Sequence, residues 1–323
     1  MDILVGNHNL AETGGSETFT FALIEELRRR GHSVEYFCFK KGMVSELIEM
    51  QLDVKFMKKN EYNLILANHN TVVDTVHKKG FTIQTCHGIF SKLEQPSDNA
   101  NCHVSISNEV HDYLFSLGFP SIIINNGINC DKFNSKKPLR KENPSVLSMC
   151  HSESAHQKVK EACEILGFDF GILDKYKDGS WNVENNINEF DLVVGIGRTA
   201  YEALACGRAV VFFDERKYAG SKGDGYFLDC FPESLKFNCS GRALNLVLQP
   251  LLLSYEIKKY KAEHGMLARK YALQTFNIER SVDSYFKYFL MMIDLNKRKK
   301  RNAIKELLPK SIITKIRFLK KYL

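Results

Sequence analysis

A glycine-rich run in the second half of the chain combines groups that could hold a phosphorylated nucleotide. The segment GIGRTAYEALACG follows an apolar strand and ends at Gly207. Its short helix would begin at Gly197, Arg198 and Thr199, where free backbone N–H groups and a guanidinium could meet phosphate. Glu202 falls about one turn later, where a carboxylate could accept hydrogen bonds from ribose hydroxyls. The alternative is a glutamate that only satisfies the helix dipole, with Arg198 on the surface.

A second glycine pair follows the first apolar run of the chain. Gly14 and Gly15 precede Ser16 and Glu17 at the predicted start of a helix. Glycines allow a backbone to approach a ligand closely, and the helix N-terminus attracts anions. The sequence therefore predicts a second phosphate contact here. An ordinary flexible turn before a helix is the alternative interpretation of the same residues.

The glycine-rich run also fits a different cofactor. Gly195, Gly197 and Ala200 have the spacing of a dinucleotide-binding turn, and Asp214 ends the next predicted strand. An acid in that position can bind a ribose in NAD(P)-dependent oxidoreductases. That enzyme class stays open as an alternative function.

Short apolar strands alternate with helical patterns on both sides of these motifs. The first series runs from Ile3–Val5 to Ile122–Asn125, and the second begins at Val146–Met149 after a polar, proline-containing linker. Such βα alternation predicts parallel, doubly wound sheets. We expect Rossmann-like domains over residues 1–135 and 136–294, the second ending in helices, and a tail over 295–323.

Charge separates the tail from the rest of the chain. The total is +7, of which residues 295–323 carry +10, leaving −3 for the remaining 294 residues. A basic amphipathic helix of this kind binds anionic membrane surfaces. A solvated tail is the alternative, and sparse aromatic residues make nucleic acid an unlikely partner. The residues assigned to the membrane are Lys297, Arg298, Lys299, Lys300, Arg301, Ile312, Ile316 and Leu319.

Composition narrows the remaining function classes. No apolar run reaches the roughly 18 residues that a membrane span requires. The nine cysteines include no CxxC pair and no Cys/His spacing typical of a metal site. They indicate buried thiols in a reducing compartment.

Four segments, in order, resemble the GT-B glycosyltransferases, nearest the retaining glycosyltransferase family 4. The pair Gly14 and Gly15 with Glu17 resembles the family's N-terminal pattern, and the helix after Gly197 resembles its EAMAxGxPVV segment. The matching segments are GGSE at 14–17 with GHSV at 31–34, VSIS at 104–107, NGIN through Phe133 at 126–133, and EALACGRAVV at 202–211.

The resemblance implies two domains facing across a cleft, a nucleotide-sugar donor held mainly by the second domain, and no metal or other cofactor. It implies that Glu202 contacts the donor ribose, that Gly15 lies near the donor phosphates, and that His87 is the active-site histidine near the transferred sugar. Without the resemblance, His87 would be interpreted as an ordinary polar residue at the end of a strand. The expected acceptor is a glycan or a lipid-linked molecule, at the cytoplasmic face of a membrane.

Two departures from the family pattern stand out. The family usually carries two glutamates eight positions apart. Glu202 matches the second of them, and Val194 stands in place of the first. Of the Arg…Lys pair that grips the diphosphate, Lys158 could supply the lysine, while Arg198 could replace the arginine. The missing glutamate also keeps open a catalytically inactive GT-B module that only binds a ligand or partner.

Overall fold

The computed structural model describes residues 1–174, 181–217, 220 and 222–307, with the side chains of 299–307 excepted. Met1–Val282 form one compact unit that carries both sheets, and a second unit begins at Asp283. The strands are β1 Asp2–Gly6, β2 Ser33–Phe37, β3 Lys55–Phe56, β4 Tyr62–Ala67, β5 Gly80–Cys86, β6 Cys102–Ser105, β7 Ser121–Ile123, β8 Val146–Ser148, β9 Phe170–Ile172, β10 Leu192–Val194, β11 Ala209–Phe213 and β12 Gly223–Tyr226. The helices are α1 Gly15–Arg29, α2 Met43–Leu52, α3 Asn70–Val76, α4 Asn108–Ser116, α5 Glu153–Leu166, α6 Val183–Asn188, α7 Arg198–Ala205, α8 Phe227–Lys236, α9 Pro250–Lys258, α10 His264–Thr275 and α11 Ile278–Leu307, with 3-10 turns at His77–Lys79 and Lys92–Glu94.

The first sheet has seven strands in the order β3-β2-β1-β4-β5-β6-β7. All its pairings are parallel, with Leu4 of β1 opposite Ile65 of β4. Both side chains are fully buried. Near-continuous apolar strands of this kind are typical of parallel sheets covered on both faces. The predicted doubly wound fold is confirmed.

The second sheet has five strands in the order β12-β11-β10-β8-β9. Strands β8 to β11 pair in parallel, whereas β12 joins β11 antiparallel. The apolar strands Leu192–Val194 and Ala209–Phe213 lie at its centre without solvent exposure above 1%. Together the two sheets give the predicted pair of Rossmann-like folds.

Two helices end at glycines, as their sequence predicts. Gly31 follows α1 with φ at +78°, and Gly167 follows α5 with φ at +69°. A residue with a side chain is strained in this left-handed conformation, so glycine stops the helix at low cost.

The chain returns from the second sheet to the segment that joins the two series. After α10, Ile128 donates its N–H to the carbonyl of Phe276 at 2.7 Å and accepts from Ile278 at 3.0 Å. The linker at 134–144 contains no helix or strand. The domain boundaries at 135 and 294 stay predictions.

Part of the predicted membrane-binding tail falls outside this description. Lys297 and Arg298 lie on α11, which continues through residues 299–301. The side chains of Lys299, Lys300 and Arg301, and the whole of Ile312, Ile316 and Leu319, lie outside the described residues. Within the described ranges, none of the helices combines the length and apolar character needed to span a bilayer.

Candidate active site in the cleft between the two sheets

A cavity of about 790 Å³ opens where the carboxyl ends of the two sheets meet. This is the edge at which doubly wound folds bind ligands, and the volume is that of a pocket for a small molecule. The segments after β1, β5, β6 and β7 line one side, and those after β8, β10 and β11 line the other. The predicted donor-binding residues that line it are Gly14, Gly15, Ser16, Gly197, Arg198, Thr199 and Glu202.

The turn before α7 presents an ion pair to the cavity. Gly197 has φ at +61° and precedes Arg198, whose Nε donates to Glu202 Oε1 at 3.0 Å. The Arg198 side chain is 11% exposed and that of Glu202 only 2%. Burial lowers the pKa of Arg198, and the Glu202 carboxylate opposes that effect. The alternative that placed Arg198 on the surface is therefore wrong.

The opposite wall begins with α1 and the glycine pair. A Cβ added to Gly15 would meet nothing within 4 Å, so this backbone is open to the cavity. A Cβ on Gly14 would stand 2.2 Å from Glu17 Oε2, because that carboxylate folds back over the helix start. Burial raises the pKa of Glu17. The predicted anion site is thus already faced by a carboxyl group of the chain.

His87 lies in the cavity wall after β5, held by two asparagines. Its Nε2–H donates to Asn68 Oδ1 at 3.1 Å, while its Nδ1 accepts from Asn126 Nδ2 at 3.1 Å. Loss of solvent around the ring, with His69 and Arg198 nearby, lowers the pKa of His87 to about 3. The ring is therefore neutral at physiological pH, with both nitrogens engaged.

Further hydrogen bonds fix that arrangement and connect it to α1. Asn68 Nδ2 donates to Thr20 Oγ1 at 2.7 Å, and the Thr20 hydroxyl donates to the Ser16 carbonyl at 2.7 Å. Because its amide nitrogen is used as a donor, Asn68 offers its oxygen to His87. The network links the histidine to the glycine-pair turn across a buried path.

Lys158 is the one predicted donor-binding residue that the structure does not bring into the cavity. Its Nζ pairs with Glu215 Oε1 at 2.6 Å, and neither residue lines the cavity. Arg216 lines the cavity instead, paired with Asp214 at 2.8 Å. Its position just after the end of a central parallel strand is the sequence signal that could have identified it.

Asp214, the ribose-binding acid of the oxidoreductase alternative, already accepts hydrogen bonds from groups of the protein itself. Its carboxylate accepts from the backbone N–H of His151 at 3.1 Å, from that of Glu215 at 2.8 Å, and from Arg216 Nε. The side chain is fully buried. Both oxygens are committed, which disfavours a role in ribose recognition.

Three further groups in the cleft escaped the sequence analysis because distant segments assemble them. Arg242, from the second half of the chain, pairs with Glu109 at the start of α4, and its guanidinium lies 4.8 Å from the centre of the Phe90 ring. Trp181 packs its ring edge-on against Phe21 at 4.9 Å. Glu94, the third group, lies in the same wall as Phe90.

Each lysine and arginine among the described residues that line the cavity has a carboxylate partner. Besides the two pairs at Glu202 and Asp214 and the pair at Glu109, Lys132 Nζ lies 3.7 Å from Glu184 Oε2. The cationic side chains are therefore largely neutralised by the protein itself.

Neither a protein-family model nor a curated protein sequence matches the chain. Solved structures do. AviGT4, a glycosyltransferase involved in avilamycin A biosynthesis, is 11% identical, with a TM-score of 0.57 over 91% of this chain and 98% of that one. MurG of Acinetobacter baumannii is 12% identical, with a TM-score of 0.53 over 88% and 99%. An alpha-glucosyltransferase bound to UDP and a 13-mer DNA containing an HMU base is 11% identical, with a TM-score of 0.53 over 90% and 99%. The chain thus resembles GT-B glycosyltransferases in fold.

Proposed function

We propose that this protein transfers a sugar from a nucleotide-diphosphate sugar to a hydroxyl group of an acceptor. The observation that carries the proposal is the start of α7, where Arg198 and Glu202 face a cavity between two Rossmann-like sheets. A guanidinium and a helix N-terminus suit a diphosphate, and a carboxylate one turn later suits a ribose.

In this proposal the second sheet holds the donor. Glu202 accepts hydrogen bonds from the ribose, while Arg198 and Arg216 stabilise the negative charge that develops on the departing diphosphate. Arg216 takes the role that was predicted for Lys158. Gly15 and Ser16 contact the phosphates from the opposite wall, and no metal is needed. Membership of family 4, and the retention of configuration that it implies, stay predictions.

The acceptor is proposed to be a glycan or a lipid-linked molecule at the cytoplasmic face of a membrane. The tail supports this placement through its excess charge of +10 over residues 295–323. Attraction to anionic lipid would hold the enzyme as a peripheral protein on that face.

Ligand binding can be followed directly because Trp181 is the chain's single tryptophan and lines the cavity. The experiment titrates UDP-, GDP- and CMP-sugars and NAD while recording tryptophan fluorescence, with calorimetry as a second readout. UDP-sugars come first, since one of the compared structures contains UDP. We expect saturable binding of one nucleotide sugar and slow release of its nucleotide diphosphate.

A pair of variants tests the geometry. Arg198→Ala should weaken donor binding, because it removes a guanidinium from the cavity wall. Lys158→Ala is the matched control and should leave binding unchanged, since Lys158 does not line the cavity. Binding of NAD in place of nucleotide sugars would contradict the proposal. Saturable donor binding without any turnover would instead indicate an inactive binding module.

A further inference from the structure

The short 3-10 turn at Lys92–Glu94 is fixed rigidly on the first-sheet side of the cavity. Asn70 Nδ2 donates to the carbonyl of Lys92 at 2.8 Å, and Gln84 Nε2 of β5 donates to that of Gln95 at 2.8 Å. The hydroxyl of Tyr113 on α4 donates to Gln95 Oε1 at 2.6 Å. The backbone on both sides of Glu94 is thus anchored to three different elements.

The Glu94 carboxyl itself is left open to the cavity. Among the described residues it forms no hydrogen bond or ion pair, although it lines the cavity wall. Its Oε2 lies 2.6 Å from where a Cβ on Gly88 would stand, so the absence of a side chain at residue 88 lets the carboxyl lie against the backbone of Gly88, the residue after His87. A rigidly mounted, unpartnered carboxyl in a cleft is suited to a hydroxyl-bearing ligand.

The surroundings also tune its acidity. Burial, followed by the nearby Glu17 carboxylate on α1, raises the pKa of Glu94 to about 7. Other ionisable groups that line the first-sheet side of the cavity are Glu25 on α1, the neutral His87 after β5, Lys132 after β7, and Glu109 with its partner Arg242, whose charges offset each other. A carboxyl that titrates near neutrality can take a proton at the pH at which enzymes work.

His87 is not available for that task, since Asn126 already donates to its Nδ1 and its Nε2 carries the proton given to Asn68. We propose that Glu94 is the general base that receives the proton of the acceptor hydroxyl. This inference rests on the proposed glycosyl transfer. The acceptor oxygen forms a bond to the anomeric carbon, the bond from that carbon to the diphosphate oxygen breaks, and the diphosphate leaves with the electron pair.

The assignment has a stereochemical consequence. Glu94 lies on the first-sheet wall, whereas Arg198 and Arg216 lie on the second-sheet wall. An acceptor activated at the first wall attacks the face of the sugar opposite the departing diphosphate. A single displacement of this kind inverts the anomeric carbon, in contrast to the retention that the family resemblance implies.

The test needs no knowledge of the natural acceptor, because water can replace it. The intact protein is incubated with UDP-glucose, or with the nucleotide sugar that the binding titrations select, and release of the nucleotide diphosphate is measured from pH 5 to 9. Proton NMR within the first minutes identifies the anomer formed before mutarotation. The variants are Glu94→Gln, Glu94→Asp and, as a matched control, Glu61→Gln at an exposed position on the same half of the chain.

We expect Glu94→Gln to bind the donor normally but to hydrolyse it about 10²–10⁴-fold more slowly, the usual contribution of a general base. The acidic limb of the pH profile near 7 should disappear, Glu94→Asp should restore part of the rate, and Glu61→Gln should match the wild type. The first sugar anomer should be inverted.

The experiment distinguishes failure of the Glu94 assignment from failure of the proposed glycosyl transfer. If the wild-type protein binds no nucleotide sugar, the proposed function falls. If it binds and hydrolyses one but Glu94→Gln keeps the full rate and pH profile, or the first anomer is retained, Glu94 is not the base while the function stands. A folded Gly88→Ala variant gives an independent check, because its methyl group would displace the carboxyl and should slow hydrolysis without weakening donor binding.

Discussion

Replacing Glu202 by glutamine separates two roles that the structure allows for this carboxylate. In the cavity wall it is 2% exposed and accepts a hydrogen bond from Arg198 Nε at 3.0 Å. It could serve the donor ribose, or it could serve only to neutralise Arg198. Glutamine keeps the size of the side chain and an acceptor oxygen but removes the negative charge.

The two roles predict donor affinity changes of opposite sign. A charge-assisted hydrogen bond to the ribose is worth about 1.5–3 kcal/mol, so its loss should raise the donor Kd about 10- to 150-fold. If Glu202 only neutralises Arg198, its replacement frees a buried positive charge for the diphosphate and the donor should bind more tightly. We expect the weaker binding, because Glu202 lies one helical turn inside a cavity-facing N-terminus.

Isothermal calorimetry with the selected nucleotide sugar measures the change, and urea unfolding measures stability in parallel. Removing the charge from a buried pair should also lower the free energy of unfolding by about 1–3 kcal/mol. Glu164→Gln is the control, since Glu164 is 64% exposed and its nearest lysine nitrogen is 3.9 Å away. A donor Kd that is unchanged or lower in Glu202→Gln would refute the ribose role.

Four other perturbations follow from the same geometry. His87→Ala should lower kcat about tenfold or more with little change in donor Kd, because the neutral, doubly hydrogen-bonded ring orders the reacting centre; equal losses in both would show that it only holds the ground state. Gly197→Ala should cost about 1–3 kcal/mol in chemical denaturation, because φ is +61° there although no atom stands within 4 Å of the added Cβ. The folded-state pKa of Glu94 is about 7 against an ordinary 4.5, so between these pH values the folded protein retains a proton that the unfolded chain releases. The free energy of unfolding of the wild type should therefore fall by about 1–3 kcal/mol as the pH rises from 4.5 to 7. Urea titrations at about pH 5 and 8 measure this fall, and Glu94→Gln should lack it. Deleting 297–323 should abolish flotation with anionic vesicles while circular dichroism stays native-like, and a truncated protein that still floats would locate the anchor elsewhere.

Local sequence patterns predicted the elements that depend on local chemistry. Apolar strands followed by amphipathic helices identified β1, α1, β8 and α5, and the glycines after the two helices marked their ends. Strand β12 has the sequence GDGY, whose first three residues are all of types that disfavour strands, and it forms by pairing with β11. Elements of that kind arise from tertiary contacts that a single sequence does not display.

The contacts of the candidate site likewise include some that local sequence predicts and others that only the fold creates. Arg198 and Glu202 are four residues apart on one helix, so their pairing could be anticipated from spacing. Arg242 and Glu109 are 133 residues apart and meet only in the folded chain. Lys158 also had a plausible position in the second turn of α5, yet its side chain pairs with Glu215. Spacing identifies helix faces, whereas the direction of a side chain across a cleft depends on the fold.

The ion pairs of the cleft set a condition on donor binding. A diphosphate brings negative charge to a cavity in which Arg198, Arg216 and Arg242 already have carboxylate partners. Either the donor displaces one of these carboxylates, or its charge is balanced mainly by backbone N–H groups at the starts of α1 and α7. Asp214 is fixed by two backbone donors and Glu202 is almost fully buried. Glu109 lies on the opposite side of the cleft from Arg242 and is 15% exposed, so its carboxylate is the one that a donor diphosphate can displace. If Arg242 leaves Glu109 to bind the donor diphosphate, the Glu109 carboxylate loses its partner. Binding of the donor at the second sheet would then alter the first-sheet wall, where the acceptor must bind.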